Sequence, residues 1–263
     1  MSTSIDALTL HHYDCSNESY NLDLGGGVEL TLMLIPSGEF MMGSADEDID
    51  ASDFERPQHS VKLSQFLMGA TPVTQAQWRV AAGYDVENIA LKPEPSNFEG
   101  DDLPVEQVNW EEVTEFCQRL SKRTGMIFQL PSEAQWEYAC RAGTETAHHF
   151  GPQIMPELAN YDQEIGQTTV VKQYLPNRWG LYDMHGNVYE WCQDHWHNSY
   201  EGAPVNGTAW IEGGNANRRI IRGGSWNDYP RFCRSAYCDS YSPAYRDSDI
   251  GFRVSCAAPR ALV

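Results

Sequence analysis

Three segments in the first half of the chain each carry a full set of helix start and stop signals, and after about residue 144 that grammar disappears. "TQAQWRVAAG" offers Thr74 as an N-cap, Gln77 three residues on and Gly83 as a stop. "NWEEVTEFCQRLSKRTG" repeats the arrangement with Asn109, Glu112 and Gly125, and "PSEAQWEYACRAG" does so from Ser132 to Gly143. A side chain at the cap and a Glu or Gln three residues later satisfy orphan N–H groups reciprocally, and Gly tolerates the left-handed turn that ends a helix. In the second segment Val113, Phe116, Cys117 and Leu120 recur at i, i+3, i+4 and i+7. That spacing predicts one buried face and a wet side bearing Glu111, Glu115, Gln118 and Lys122.

The rest reads as strand and loop. "VELTLMLIPSGEFMMGS" predicts two strands joined by a tight turn, "NLDLGGGVEL" holds a glycine turn, and "SVKLSQFLMGATPVT" is strand-like again. Between them "ADEDIDASDFERPQH" predicts a solvated acidic loop. From Thr144 onward Gly, Asn, Pro, Asp and aromatic residues dominate, which suits short strands and long structured loops. The expected architecture is α+β, irregular and loop-rich: a loosely ordered arm over residues 1–20, then a single domain over 21–263.

Bulk properties narrow the function. A chain of 263 residues can bury a core without disulfide staples. A formal charge of -19 argues against nucleic acid, whose binding draws on Lys and Arg neutralising phosphates. No basic start followed by an apolar run opens the chain, and no apolar stretch of about 18 residues occurs, so neither a signal peptide nor a membrane span is expected. The seven cysteines form no C-x-x-C pair and read as mostly reduced and structural, consistent with a cytoplasmic protein. Neither a G-x-S-x-G elbow nor a phosphate loop is present. His195 and His197 in "DHWH" have the spacing of a strand-borne metal pair, but no third ligand is identifiable, so they read as surface or core histidines.

"NRWGLYDMHGNVYEWCQDHW", Asn177 to Trp196, is the densest motif. Gly186-Asn187 signals a turn, and Asp183 and Glu190 bracket it where a folded-back loop could gather carboxylate and carbonyl oxygens, the ligand set of a hard cation such as calcium. The alternative is a structural turn buried under Trp179, Trp191 and Trp196.

Together "MLIPSGEFMMGS", "ERPQHSVKLSQFLMGATPVTQAQW", "LPVEQVNWEEVTEFCQRLSKRTGMIFQLPSEAQWEYACRAG", "WGLYDMHGNVYEW" and "IIRGGSW...CRSAY...IGFRV" resemble the formylglycine-generating-enzyme (sulfatase-modifying factor) family over nearly all of Asn21 to Cys256. The resemblance implies the irregular α+β fold shared with C-type lectins. It also implies calcium held by the side chains of Asp183 and Glu190 and the carbonyls of Gly186 and Val188. The family's enzymes oxidise a substrate cysteine with a copper-binding pair of cysteines. Here Asp228 stands at the first of those positions and Tyr237 at the second, so copper is not expected, and Cys233 and Cys238 remain only as a shifted pair.

The segment Arg222 to Val254 is set apart by its composition. Between Trp226 and Ile250 it uses only Asn, Asp, Tyr, Pro, Arg, Phe, Cys, Ser and Ala, with no Lys, Gln, Glu, Met or Trp. An Asn codon, adenine-adenine-pyrimidine, whose adenines are replaced freely reaches fifteen amino acids and misses only those five. If they make up roughly a fifth of ordinary residues, chance absence over this stretch is below about one in a hundred. The pattern resembles the variable repeat of a diversity-generating retroelement, which randomises template adenines at the C-terminus of a target protein. On that resemblance the frame is Gly223, Gly224, Ser225, Trp226, Pro230, Arg234, Ser235, Ala236, Pro243, Arg246, Ile250, Gly251 and Phe252, with Arg231 and Ala244 unassigned. The randomised set is Asn227, Asp228, Tyr229, Phe232, Tyr237, Cys238, Asp239, Ser240, Tyr241, Ser242, Tyr245, Asp247, Ser248 and Asp249, with side chains expected to face solvent.

Tyr supplies rigid amphipathic contact area and Ser, Asn and Asp adaptable hydrogen bonds, the menu of antibody paratopes. The expected function is therefore display of a ligand-binding surface, acidic and aromatic, for a protein or peptide with some positive charge. The alternatives are a copper-dependent cysteine oxidase acting through Cys233 and Cys238, and a catalytically inactive regulator.

Overall fold

A computed structural model describes residues 14–258. β1 (Ser19–Gly25) and β2 (Val28–Ile35) form a hairpin closed by Gly25, Gly26 and Gly27, all at positive φ. Only glycine adopts three such conformations in a row without steric cost. β2 continues antiparallel into β5 (Phe66–Gly69), β5 into β11 (Ser255–Ala257), and β11 into β6 (Phe128–Gln129). This five-stranded sheet joins the two ends of the described chain. β3 (Gly38–Met42) pairs with β4 (His59–Leu63) rather than with β2, so the two strands expected around Pro36 and Ser37 lie in different sheets.

All three expected helices form with their capping boxes: α1 (Gln75–Ala82), α2 (Trp110–Thr124) and α3 (Glu133–Arg141). The apolar face of α2 is buried as its spacing requires, and Trp78 of α1 stacks on Phe116 at 5.6 Å, with Phe252 edge-on to both. This cluster fills the space between the helices and the five-stranded sheet. A second cluster, around Trp136 and Leu181, joins α3 to the remaining sheet. That sheet has the order β10 (Ile250–Gly251), β7 (Tyr189–Trp196), β8 (Asn215–Arg222), β9 (Cys238–Tyr241), with β10 parallel to β7 and the other pairs antiparallel.

Three expectations need correction. Residues 1–13, most of the expected arm, lie outside the described residues, but Ser19 and Tyr20 already pair with Met33 and Leu32, so order begins before residue 21. Glu115 is not on a wet face: it is 1% exposed, ion-paired with equally buried Arg119 at 2.7 Å, and accepts backbone N–H bonds from Glu87 and Asn88. Burial pushes its carboxyl up, but the Arg119 bond and the N–H donors outweigh that and bring it down to about 2. The acidic loop is pinned rather than free, because Glu55 is fully buried and takes both ends of the Arg234 guanidinium at 2.9 and 3.0 Å.

Candidate functional site

The compositionally filtered segment supplies both edge strands of the second sheet, β9 and β10, and is tied down at several points along its length. It starts where β8 ends in Gly223 and Gly224, both at positive φ. A Cβ on Gly224 would meet Cys233 Sγ at 2.6 Å, so the glycine is required by close packing as well as by backbone geometry. The Trp226 indole N–H donates to Ser248 O at 3.1 Å and its ring meets Phe98 edge-on, which ties the first loop of the segment to the last. A short 3-10 helix over Pro230–Cys233 leads to Arg234, whose bonds to Glu55, Asp48 and the Asp50 carbonyl anchor the middle. Beyond β9, the Pro243 carbonyl accepts Trp110 N–H at the start of α2, and the Asp247 carbonyl accepts Gln107 N–H. Of the frame, Gly223, Gly224, Ser225, Arg234, Ser235, Ala236, Ile250, Gly251 and Phe252 are buried, Trp226 and Pro243 half-buried, and Pro230 and Arg246 exposed.

The fourteen variable positions divide by burial. Asn227, Tyr229, Ser242 and Tyr245 are exposed, and Asp228, Phe232, Asp239, Tyr241, Asp247, Ser248 and Asp249 are half-buried. Tyr237, Cys238 and Ser240 are buried, so the expectation that every variable side chain faces solvent fails at these three. For two of them the reason is strand alternation: successive β9 side chains point to opposite faces, which sends Cys238 and Ser240 inward and Asp239 and Tyr241 outward, while Tyr237, just before the strand, is buried with its ring 4.9 Å from that of Phe232. Cys238 Sγ accepts the Tyr200 hydroxyl at 3.9 Å, and Ser240 Oγ accepts Arg218 Nε at 2.8 Å.

Outward from β9 the face is aromatic and acidic. Tyr241 and Tyr245 stack at 4.4 Å, Phe232 lies 4.9 Å from Tyr237, and Tyr229 extends that row. Ser225 Oγ donates to Asp228 and sits 3.4 Å from Asp249 Oδ2, while Tyr189 Oη donates to Asp228 Oδ1 at 3.2 Å. Burial, then the charges of Asp247 and Asp228, push the Asp249 carboxyl up to about 7, and Asp228 is raised by burial and Asp239. Fully buried Glu106 sits close enough to feel Asp247 and Asp249; burial is the main cause that brings it to about 7, and its Oε2 has no hydrogen-bond partner. Tyr189 and Glu106 lie outside the filtered segment, so its composition gave no sign of them.

The two cysteines of the oxidase alternative sit in separate surroundings. Cys233 packs with Ala159 and Tyr161, Cys238 in the cluster containing Tyr200, and burial pushes both thiols well up, away from the thiolate that copper needs. Among the described residues no group of three or more His, Cys, Asp and Glu side chains is placed to hold a metal ion. His197 stacks on Trp210 at 3.4 Å. His148, His149 and His185 meet although no spacing in the sequence signals it, with the first two rings each 5.1 Å from the third; burial lowers all three, His148 to about 4 and His149 to about 3, so they are neutral.

The Asp183–Glu190 loop is dominated by Arg253. Its guanidinium reaches both oxygens of fully buried Glu190 at 2.6 and 2.7 Å and the carbonyls of Gly69 and Tyr182, and Trp136 Nε1 donates to the same carboxylate. Asp183 Oδ2 accepts Lys172 N–H, while Oδ1 is buried without a partner and the carboxyl is pushed up to about 6 by burial. Gly186 is confined: a Cβ there would lie 2.2 Å from Asn160 O. The orphaned buried oxygen of Asp183 is a donor suited to a hard cation, whereas both Glu190 oxygens are already taken by Arg253, one of them also by Trp136.

The sulfatase-modifying factor enzyme 1-like domain matches residues 29–258. Among curated proteins, the serine/threonine-protein kinase pkn1 of Chlamydia pneumoniae is 32% identical over 84% of this chain, which spans only 37% of that protein's length. The formylglycine-generating enzyme of Streptomyces coelicolor is 28% identical over 83% of this chain and 87% of its own. Among solved structures, PvdO from Pseudomonas aeruginosa superposes with a TM-score of 0.79 at 31% identity, and Treponema denticola variable protein 1 with 0.79 at 27%. Each covers 92% of this chain and 100% of the matched one.

Proposed function

The chain belongs to the sulfatase-modifying factor enzyme 1-like family and has its C-type lectin type of fold, and we propose that it is a ligand-binding member displaying a retroelement-diversified surface rather than an enzyme. One observation carries the reading. The segment from which five amino-acid types are missing supplies an aromatic and acidic set of outward side chains, held at its base by Gly224, Trp226 and Arg234. The likeness to a solved variable protein supports it. Of the two residues standing where the family's enzymes carry cysteines, Asp228 belongs to that face and Tyr237 is buried against Phe232, and the nearby thiols are buried and protonated. The eleven outward positions supply contacts, with Tyr and Phe as anchors and Asp and Ser as adaptable polar groups. Fold alone does not settle such a question; these side chains distinguish a display surface from an active site.

The partner we propose is a protein or peptide, since a charge of -19 disfavours nucleic acid. No helix among the described residues is long and apolar enough to cross a membrane, and free thiols suit a reducing cytoplasm. Calcium at Asp183, Gly186, Val188 and Glu190 belongs to the same proposal as a structural ion. Adding calcium should raise the melting temperature and a chelator reverse it, with the effect lost in Asp183→Ala. The test of display is to exchange the outward positions together: binding to a ligand selected from a peptide library should vanish while the melting temperature stays within a few degrees. A large loss of stability would refute display.

A further inference from the structure

We propose, building on the display reading, that the present version of this face recognises an arginine side chain of a partner protein, its guanidinium seated over Asp228 and Asp249 beside the tyrosine rings. The two carboxylates come from opposite ends of the segment and meet through the Ser225 hydroxyl. Their side-chain partners are hydroxyls, from Ser225 and Tyr189, and among the described residues no Lys or Arg pairs with Asp228, Asp247 or Asp249. Asp239 alone has a distant cation, Arg218 at 3.9 Å. Fully buried Glu106, with Oε2 unpartnered, lies close to Asp247 and Asp249 and crowds a further carboxyl against them. An arriving cation would favour ionisation of these crowded carboxyls and supply the countercharge that no Lys or Arg provides here.

The flanking surface decides which cation. Tyr241 and Tyr245 form a stacked pair in which Tyr245 is 38% exposed, and Tyr229 and Phe232 belong to a second aromatic row backed by buried Tyr237. A planar, weakly hydrated guanidinium can lie on an aromatic face and still direct a fork of N–H donors at carboxylates, whereas a compact ammonium must give up more hydration. Arginine also engages paired carboxylate oxygens in a bidentate manner. The face already contains one contact of this type, Arg231 Cζ lying 4.5 Å from the centre of the Phe232 ring.

The test is calorimetric titration of the full chain with tetra-arginine, tetra-lysine and tetra-glutamate peptides at physiological salt. The proposal expects tetra-arginine to bind at least about five-fold more tightly than tetra-lysine, and tetra-glutamate not to bind. Asp228→Asn with Asp249→Asn should weaken tetra-arginine about ten-fold or more, a change of about 1.4 kcal/mol, with an unchanged or higher melting temperature showing that the fold is kept. Glu201→Gln with Glu212→Gln, which removes the same charge from exposed positions elsewhere, should leave binding unchanged. Equal binding of arginine and lysine peptides, or equal loss in the two double variants, would overturn the assignment and reduce the effect to bulk charge. Either result would leave display standing, because that reading is tested by exchange of the outward positions.

Discussion

Cys238 and Asp239 are neighbours in β9, both in the diversified set, and both positions can reach Tyr by adenine replacement, yet the fold treats them oppositely. Cys238 is 2% exposed and packs in the cluster around Tyr200, near the charges of Glu133 and Arg222. Placing a phenol there overfills a packed site, which costs about 1–3 kcal/mol, and strands a hydroxyl, which costs about another 1–3 kcal/mol. Asp239 has a side chain 36% exposed, where substitutions stay within about 0.5 kcal/mol. For a chain of this length each kcal/mol moves the melting temperature by roughly 2–4 °C. Cys238→Tyr should therefore lower it by at least about 4 °C and Asp239→Tyr by less than about 2 °C, the upper end of that range for a 0.5 kcal/mol change. Thermal denaturation followed by circular dichroism at one scan rate reads both. Equal shifts, or a larger one at Asp239, would refute the division of the segment into inward and outward positions.

Other expectations rest on buried charge. Glu106 has a folded pKa of about 7, raised first by burial, so the folded chain keeps a proton that the unfolded chain releases near the ordinary carboxylate value. Its contribution is fully present below that ordinary value and is lost as pH rises through about 7. Glu106→Gln keeps an oxygen for the Asn97 and Phe98 N–H groups, and in urea unfolding it should gain on the wild type at mildly alkaline pH compared with acid; a pH-independent difference would contradict this. Arg253→Gln leaves Glu190 buried without its cation and should cost about 3–5 kcal/mol by the same assay, while a loss under about 1 kcal/mol would show that the pair is dispensable. Trp226→Ala removes the tie to Ser248 and should speed amide hydrogen exchange across residues 245–249, with unchanged exchange counting against its role as a brace.

What could be read from the sequence was what local chemistry decides. Thr74, Asn109 and Ser132 announce their helices because a cap and its partner lie three residues apart, and the spacing of Val113, Phe116, Cys117 and Leu120 declares its buried face. The filtered segment was legible because its signal is written in codons. What could not be read depends on distant partners. Glu55 and Glu115 look like surface residues until Arg234 reaches the first across 179 positions and the Glu87 and Asn88 N–H groups cover the second, and the Arg253 partner of Glu190 lies 63 positions away. The inward turn of Cys238 and Ser240 needed the register of β9 against β8, and Tyr189 entered the site only through the parallel pairing of β7 with β10. The pairing of β3 with β4 was hidden because the acidic loop between them closes through Glu55 and Arg234.

The central claim is that the face over residues 227–249 has been rewritten while its frame has been kept, and sequencing the gene with its flanking DNA tests it most directly. The account predicts a near-copy of this segment beside a reverse-transcriptase gene, matching at Trp226, Pro230, Arg234 and Phe252 and carrying adenines where the outward positions differ. Finding no such copy, or differences spread over all four bases and over frame and face alike, would contradict it.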